Sequence, residues 1–284
     1  MARRIFKEPD LRAWGEARSL KVLVTNDDGV GSKSTRLLAS TLRSMGHSVF
    51  TALPLGNWSG SSKSIGKIGR VRLYRFMLDC PGCEAVAADA PPAAMVAISI
   101  DILGFKPDIV VSGVNYGPNI GIHDLFSSGT VGAVVEAAFK GVKGVAYSSS
   151  CYPEDLGCIE NAVRIAAILF KPLSEVLTSI SGLSALSVNI PAGEPRGLRV
   201  VRASPRTPRL SGKISGDGSV SIGRIDHVKL YGSDSVGYDG GAYARGYISV
   251  MPIRVEARGV QVAEDLIEVV EESLNEAQLL GRTL

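Results

Sequence analysis

No stretch of this chain is apolar for long enough to span a membrane. The longest candidate, Ala93 to Leu103, is interrupted by Ser99 and Asp101. The opening residues, Met1 to Asp10, lack the apolar centre of a signal peptide. A soluble, cytoplasmic protein with no membrane partner is expected. Strong charge of either sign is also missing: 31 Lys+Arg against 28 Asp+Glu leave a formal +3. That balance is too weak and dispersed to argue for a nucleic-acid polymer as partner. The densest basic cluster runs from Arg196 to Arg209, with Arg199, Arg202 and Arg206 between, and reads as a solvated loop before a polyanion site. Histidine (3) and cysteine (4) are scarce. Cys80-Pro81-Gly82-Cys83 is a lone CxxC at a turn, and Cys151 and Cys158 lack the spacing of a second zinc-ligand pair. Unremarkable thiols are the first expectation, a stabilising disulfide the second and zinc the last. No P-loop pattern occurs, and no long low-complexity tract.

What is present is core-forming material. Hydrophobic residues make up 45% of 284, enough for one large domain or one domain with an appendage. Lys21–Thr25 reads as a short buried strand that ends in the turn residues Asn26-Asp27-Asp28-Gly29. A helix over about 34–46 follows, then a strand over 47–53, which together form a βαβ unit with parallel strands. Asn57 to Gly69 is a Ser/Gly/Lys-rich loop, and Val71 to Ala87 an excursion around Pro81-Gly82. Asp89 is expected to cap a helix with Pro91 and Pro92 in its first turn. The near-continuous apolar run 108–114 suits a central strand covered on both faces. Further helices are expected over about 128–140 and 158–170, with strands over 145–148 and 183–190. This alternation predicts an α/β fold with a doubly wound, mostly parallel, Rossmann-like sheet. After Pro191 the pattern changes. Residues 192–245 are rich in Gly, Ser and Arg, a strand returns at 247–253, and an amphipathic helix covers 263–280. The expected division is an N-terminal extension (1–20), a catalytic domain (21–191) and a C-terminal part (192–284) of β-hairpin arm, returning strand and terminal helix.

In an open parallel sheet, ligands bind at the carboxyl ends of the strands near the reversal of strand order. Asn26-Asp27-Asp28, Ser59-Gly60-Ser61-Ser62 and Asn115-Tyr116-Gly117-Pro118-Asn119 lie at such ends, and Ser128-Gly129-Thr130 at a helix start. Adjacent carboxylates there are costly unless a cation or hydrogen bonds compensate. A lone Asp-Asp is more simply a turn with a capping residue. With the Ser59 hydroxyl and the Asn115 amide oxygen, Asp27 and Asp28 make a hard-oxygen set suited to Mg²⁺ or Mn²⁺. Ser128-Gly129-Thr130 would offer hydroxyls and N–H groups to phosphate at a positive helix terminus, or be an ordinary cap. Ser61-Ser62-Lys63-Ser64 is equally open between a flexible loop and phosphate donors. His123 is a candidate acid or base near the site, His47 a structural residue at a turn, and His227 uninterpretable.

Several of these segments resemble the SurE family of nucleotidases. They are Val22 to Val30, Asn57 to Ser62, Pro107 to Asn119, Ser128 to Ala133, Ser187 to Pro191 and Gly246 to Val250, matching in order. The resemblance implies metal ligation by Asp27, Asp28, Ser59 and Asn115. It implies phosphatase action on nucleoside 5′-monophosphates, or 3′-monophosphates or short polyphosphate. Asp27 or Asp28 would act as base or nucleophile, with Asn26, Gly60, Ser61, Asn119, Ser128, Gly129 and Thr130 around phosphate or substrate. It also implies a homodimer or tetramer built with an exchanged C-terminal arm. Two departures stand out: residues 1–20 precede the family's usual start, and Asp89-Ala90-Pro91-Pro92-Ala93 replaces a Gly-Thr-Pro-x-Asp loop. A rival from another class is a nucleotide-binding regulator without turnover. An aspartyl-phosphate phosphatase of another fold ranks lower, because that chemistry places its carboxylates one residue apart.

The arm carries its own argument. Ser219-Val220-Ser221-Ile222-Gly223 alternates like a one-sided strand. A protruding two-stranded hairpin is barely stable alone in water, so its apolar face needs a partner. The terminal helix, with Leu266, Ile267, Val270, Leu274 and Ala277 on one face, must also dock.

Overall fold

The computed structural model describes residues 19–65, 69–209, 211–223, 227–256 and 259–277. Most of the expected N-terminal extension, and the Leu210, Ile225 and His227 side chains, lie outside the described residues. The core is a ten-stranded sheet. Its strands are β1 (Lys21–Thr25), β2 (Ser48–Pro54), β3 (Tyr74–Met77), β4 (Glu84–Ala88), β5 (Ile109–Tyr116), β6 (Gly144–Ser149), β7 (Ala185–Ile190), β8 (Leu198–Val200), β11 (Ile248–Glu256) and β12 (Gly259–Val262). They run in the order β12-β11-β7-β6-β5-β1-β2-β4-β3, with β8 beside β11. From β7 through β4 every pairing is parallel; β3, β11 and β12 add antiparallel edges. The remaining strands, β9 (Gly212–Ile214) and β10 (Val220–Ile222), form a separate hairpin.

Two apolar layers explain the doubly wound form. On one face α1 (Lys33–Ser44), α5 (Leu156–Ser179) and α8 (Ile267–Glu276) cover residues such as Val22, Val24 and Val111. On the other, α2 (Pro92–Ala97) and α4 (Gly129–Phe139) cover Leu23, Val110 and Ala146. Alternate residues of one strand therefore feed opposite cores, as a central strand must. Shorter helices α3 (Gly121–Ser127), α6 (His227–Tyr231) and α7 (Asp239–Ala244) gather around Ile120 and Tyr231 in a small third cluster. Among the described residues no helix is long and apolar enough to cross a membrane.

Several boundaries differ from the sequence expectations for identifiable reasons. Asp89 is exposed and does not cap α2; Pro91 holds the N-cap position, and a π-helical turn over Ile98–Ile102 extends the helix. The helix expected to end at Phe170 continues through Pro172 to Ser179. Both Pro172 and the turn that follows are largely buried, so tertiary packing overrides the proline as a stop signal. The cysteines are not free thiols: Cys80 pairs with Cys83 and Cys151 with Cys158, each with Cα atoms 5.5 Å apart. Spacing alone could not decide this, because pairing depends on Cβ direction as well as distance. The terminal helix docks within its own chain. Its Ile267, Val270 and Leu274 are buried in the chain's own core, whereas Ala277 is exposed.

The β9–β10 hairpin is different. It has the alternation expected of the arm, and Ile214 pairs directly with Val220. Ile214, Val220 and Ile222 remain 80%, 58% and 64% exposed.

Candidate active site

Strand β1 continues to β2 on one side and pairs with β5 on the other, so the strand order reverses between β1 and β5. Asp27 and Asp28 follow the end of β1, and Asn115 lies near the end of β5. The four polar clusters read from the sequence meet there. Trp58 N–H donates to the Asp27 carbonyl (2.7 Å), Tyr116 N–H to Asp28 Oδ2 (3.4 Å), and Ser62 N–H to the Ser127 carbonyl (2.9 Å).

Asp27 is buried, and α4 aims its first turn at it. Thr130 donates its hydroxyl to Asp27 Oδ1 at 2.6 Å and its N–H to Oδ2 at 3.1 Å. A helix N-terminus stabilises an anion through its unpaired N–H groups and its dipole. This changes the role of Thr130, whose hydroxyl was expected on phosphate. It is fully buried and spent on the carboxylate. Ser128 caps the helix by accepting from Val131 N–H. Gly129 is required by proximity: a Cβ there would lie 2.8 Å from Ser61 Oγ and 2.9 Å from Asp27 Oδ2. One turn later a Cβ on Gly132 would strike the Ser62 carbonyl at 2.3 Å. The Ser-Gly loop thus lies directly on the helix start. Lys63 fastens it by an ion pair to buried Glu136 at 2.6 Å.

The electrostatics are unbalanced. Burial raises Asp27 above the usual carboxylate range, against the pull of the Thr130 and Gly129 donors. Burial pushes Asp28 up to about 8, the neighbouring Asp27 adds to the rise, and only the Tyr116 N–H opposes it. Asn115 spends its amide N–H on the Gly117 carbonyl (2.6 Å), which keeps its oxygen for another partner. Ser59 is exposed, its N–H held by Asn57 Oδ1 at 2.7 Å. Ser61 Oγ is buried and, among the described residues, has no hydrogen-bond partner. One clamped and one under-compensated carboxylate, an amide oxygen and hydroxyls are hard-oxygen donors that fit a small divalent cation. Among the described residues, no group of three or more His, Cys, Asp or Glu side chains could hold a metal. Any cation here would rely on the neutral oxygens as well.

The other expected site residues divide. Asn26 is fully buried, and its carboxamide is taken up by Gly29 and Thr35, so it builds the turn. Gly60 belongs to the exposed tip of the Ser-Gly loop. Asn119 is half-buried at the crevice edge, its backbone held on both sides by the Asn189 carboxamide and its side chain by Ser148 Oγ. His123 is largely exposed on α3, with Nδ1 3.2 Å from Asp124 Oδ1. His47 is buried, accepts from Leu20 N–H and is lowered by burial, consistent with a structural role. The sequence reading missed the supports: Tyr116 N–H, Ser148, Asn189 and Glu136. Only their positions at strand ends or in a helix could have signalled them.

The sequence profile of the family described as Survival protein SurE matches residues 22–209, which include all four clusters. The chain belongs to the SurE family. A SurE relative from Aeropyrum pernix, named 5′-nucleotidase SurE, is 48% identical over 237 residues, covering 84% of this chain and 87% of the relative. One of the same name from Stenotrophomonas maltophilia is 33% identical over 252 residues, 86% and 93% of the two chains. The crystal structure of the SurE protein from Aquifex aeolicus aligns with a TM-score of 0.67 and 25% identity, over 89% of this chain and 98% of that one.

Two outcomes follow from the geometry. Asp28 has a folded-state pKa raised above its unfolded value, so ionising it costs folding free energy. In metal-free protein that cost grows as pH rises from about 4 to about 8 and is constant above. Asp28→Asn should therefore melt higher than the parent at pH 8.5, with the difference shrinking toward pH 4; calorimetry without metal checks this, and equal curves refute it. Thr130→Val removes a hydrogen bond to a charged group, so Mn²⁺ binding by calorimetry should weaken about tenfold, with phosphate binding changed less. The reverse order would return Thr130 to a phosphate role.

Proposed function

We propose that the chain is a divalent-metal-dependent phosphomonoester hydrolase that releases phosphate from nucleoside 5′-monophosphates, with 3′-monophosphates or short polyphosphate as further substrates. The observation that carries this reading is the Asp27–Asp28 pair at the switch point, Asp27 buried and clamped by a helix start and Asp28 half-buried and left under-compensated. Membership of a family whose relatives are named 5′-nucleotidase supports it.

Asp27, Asp28, Ser59 and Asn115 would hold Mg²⁺ or Mn²⁺. When bound, the cation supplies positive charge against the phosphoryl oxygens and the developing transition-state charge. The chain's own residues do the positioning. Thr130 fixes Asp27 through both oxygens, so Asp27 is the rigid ligand. Asp28 is held by one long backbone contact, and we assign it the proton-handling role. Ser61 Oγ, beside Gly129 and with no partner among the described residues, is the readiest donor to a phosphate oxygen. Ser128 and Asn119 complete that side of the crevice.

We also propose a homodimer or larger assembly that covers the bare β9–β10 hairpin. Its exposed Ile214, Val220 and Ile222 give it an apolar face with nothing of its own chain across it among the described residues.

Phosphate release from a nucleotide panel with Mg²⁺ or Mn²⁺ should be abolished by EDTA and by Asp27→Asn, without loss of fold by circular dichroism. Activity that survives EDTA would sink the metal mechanism, and nucleotide binding without release would favour a regulator. Sedimentation equilibrium should show a dimer or larger species, reduced when 211–223 is replaced by a short Gly-Ser linker. A monomer at micromolar concentration in the intact protein refutes the assembly.

A further inference from the structure

Asp239 lies far from Asp27 in sequence, beyond the residues 22–209 that the family profile matches. It is fully buried in the first turn of α7. A buried carboxylate is costly unless its oxygens are satisfied by donors. Asp239 has three backbone donors. Oδ2 accepts from Gly121 N–H at 2.7 Å, and Oδ1 from Ser204 N–H at 2.8 Å and Gly240 N–H at 2.7 Å.

These contacts join two parts of the molecule. Gly121 begins α3, two residues after Asn119 and on the segment that runs on to Ser128. Ser204 stands at the root of the arm: its Oγ donates to Asp234 Oδ2, which shares its carboxylate with Arg206 Nε. The same segment is held twice more from the C-terminal side. Tyr231 donates its hydroxyl to the Ile120 carbonyl at 2.9 Å, and Ile122 N–H donates to the Ser204 carbonyl at 2.9 Å. Ile120 and Tyr231 are both fully buried, so these bonds lie in a small dry core.

We propose that Asp239 is a positioning residue for the phosphate side of the site: through Gly121 it sets the backbone that carries Asn119, and through Ser204 it locks that segment to the root of the arm. The proposal rests on the reading that Asn119 contacts the phosphate of the substrate. Its chemistry makes Asp239→Asn selective. Asparagine keeps one acceptor oxygen, which can still serve Ser204 and Gly240 within α7 and the arm root. Its NH₂ would then face the Gly121 N–H, donor against donor, so the clamp on the loop is the bond that is lost.

The test is a double-mutant cycle read by direct binding of inorganic phosphate, using calorimetry on the full-length protein with saturating Mn²⁺. Mn²⁺ affinity and melting temperature are measured alongside. Asn119→Ala and Asp239→Asn should each weaken phosphate binding, the latter roughly tenfold, with Mn²⁺ affinity unchanged. The double variant should bind no more weakly than Asn119→Ala alone, because Asp239 acts through that residue. Additive losses, or unchanged phosphate binding in folded Asp239→Asn while Asn119→Ala is impaired, overturn the proposal alone. An unimpaired Asn119→Ala overturns both the phosphate reading of Asn119 and the proposal. If Asp239→Asn fails to fold, Tyr231→Phe, which removes the bond to Ile120 and spares the carboxylate, enters the same cycle with the same expected and refuting results.

Discussion

Two carboxylates side by side at the end of a buried strand are an electrostatic debt that the surrounding structure must settle. Strand β1 has apolar cores on both faces, so the chain leaves it in a low-dielectric environment where ionised groups are poorly tolerated. One carboxylate is answered from within: α4 begins where its first-turn donors meet Asp27. Among the described residues the other is answered by one long N–H contact, and burial pushes its carboxyl up to about 8. A protein built for stability alone has no use for that arrangement. The glycine at 129 and the loop over 59–62 fit the same constraint. Without a side chain at 129, Ser61 Oγ and the Asp27 carboxylate can both close on the helix start.

The same interaction explains a division of labour between two adjacent, chemically identical residues. Asp27 is fixed through both oxygens, so its geometry is set before any ligand arrives. Asp28 keeps more freedom and a carboxyl near neutrality in pKa. Preorganisation in one and adjustable protonation in the other are complementary requirements of metal-assisted phosphoryl chemistry. Environment creates the difference, since the sequence shows only Asp-Asp.

This also marks how far the sequence could be read. The strands β1, β2, β5, β6 and β7 were legible because burial on both faces leaves an apolar run bounded by turn residues. The doubly wound fold followed from their alternation with helices. The convergence of four polar clusters was legible as well, because parallel topology brings strand ends to one edge. Hydrogen-bond partners were not. Thr130 was visible as a hydroxyl at a helix start, a place where phosphate commonly binds, yet its acceptor is 103 residues away. Asn26 looked available, yet its carboxamide is consumed within its own turn. The cysteine pairs and the passage of α5 through Pro172 depend on local geometry and packing that spacing does not encode.

The change of composition after Pro191 is a change of pattern, and the hydrogen bonds run straight across it. Strand β11 pairs with β7 and extends the main sheet, and α8 buries its apolar face against the same core as α1 and α5. More tellingly, the segment from Gly117 to Ser128 is held at its two ends by different halves of the chain. Ser128 is its junction with α4, whose first turn clamps Asp27. Asn119 to Ile122 are held by Asn189, Ser204, Tyr231 and Asp239. The N-terminal elements therefore carry the charges, but the loop that borders them takes part of its shape from residues beyond 188. The exposed hairpin springs from the same root, at Ser204 and Arg206. The root that precedes the hairpin is therefore tied to the segment that borders the site, through Ser204 and Asp239.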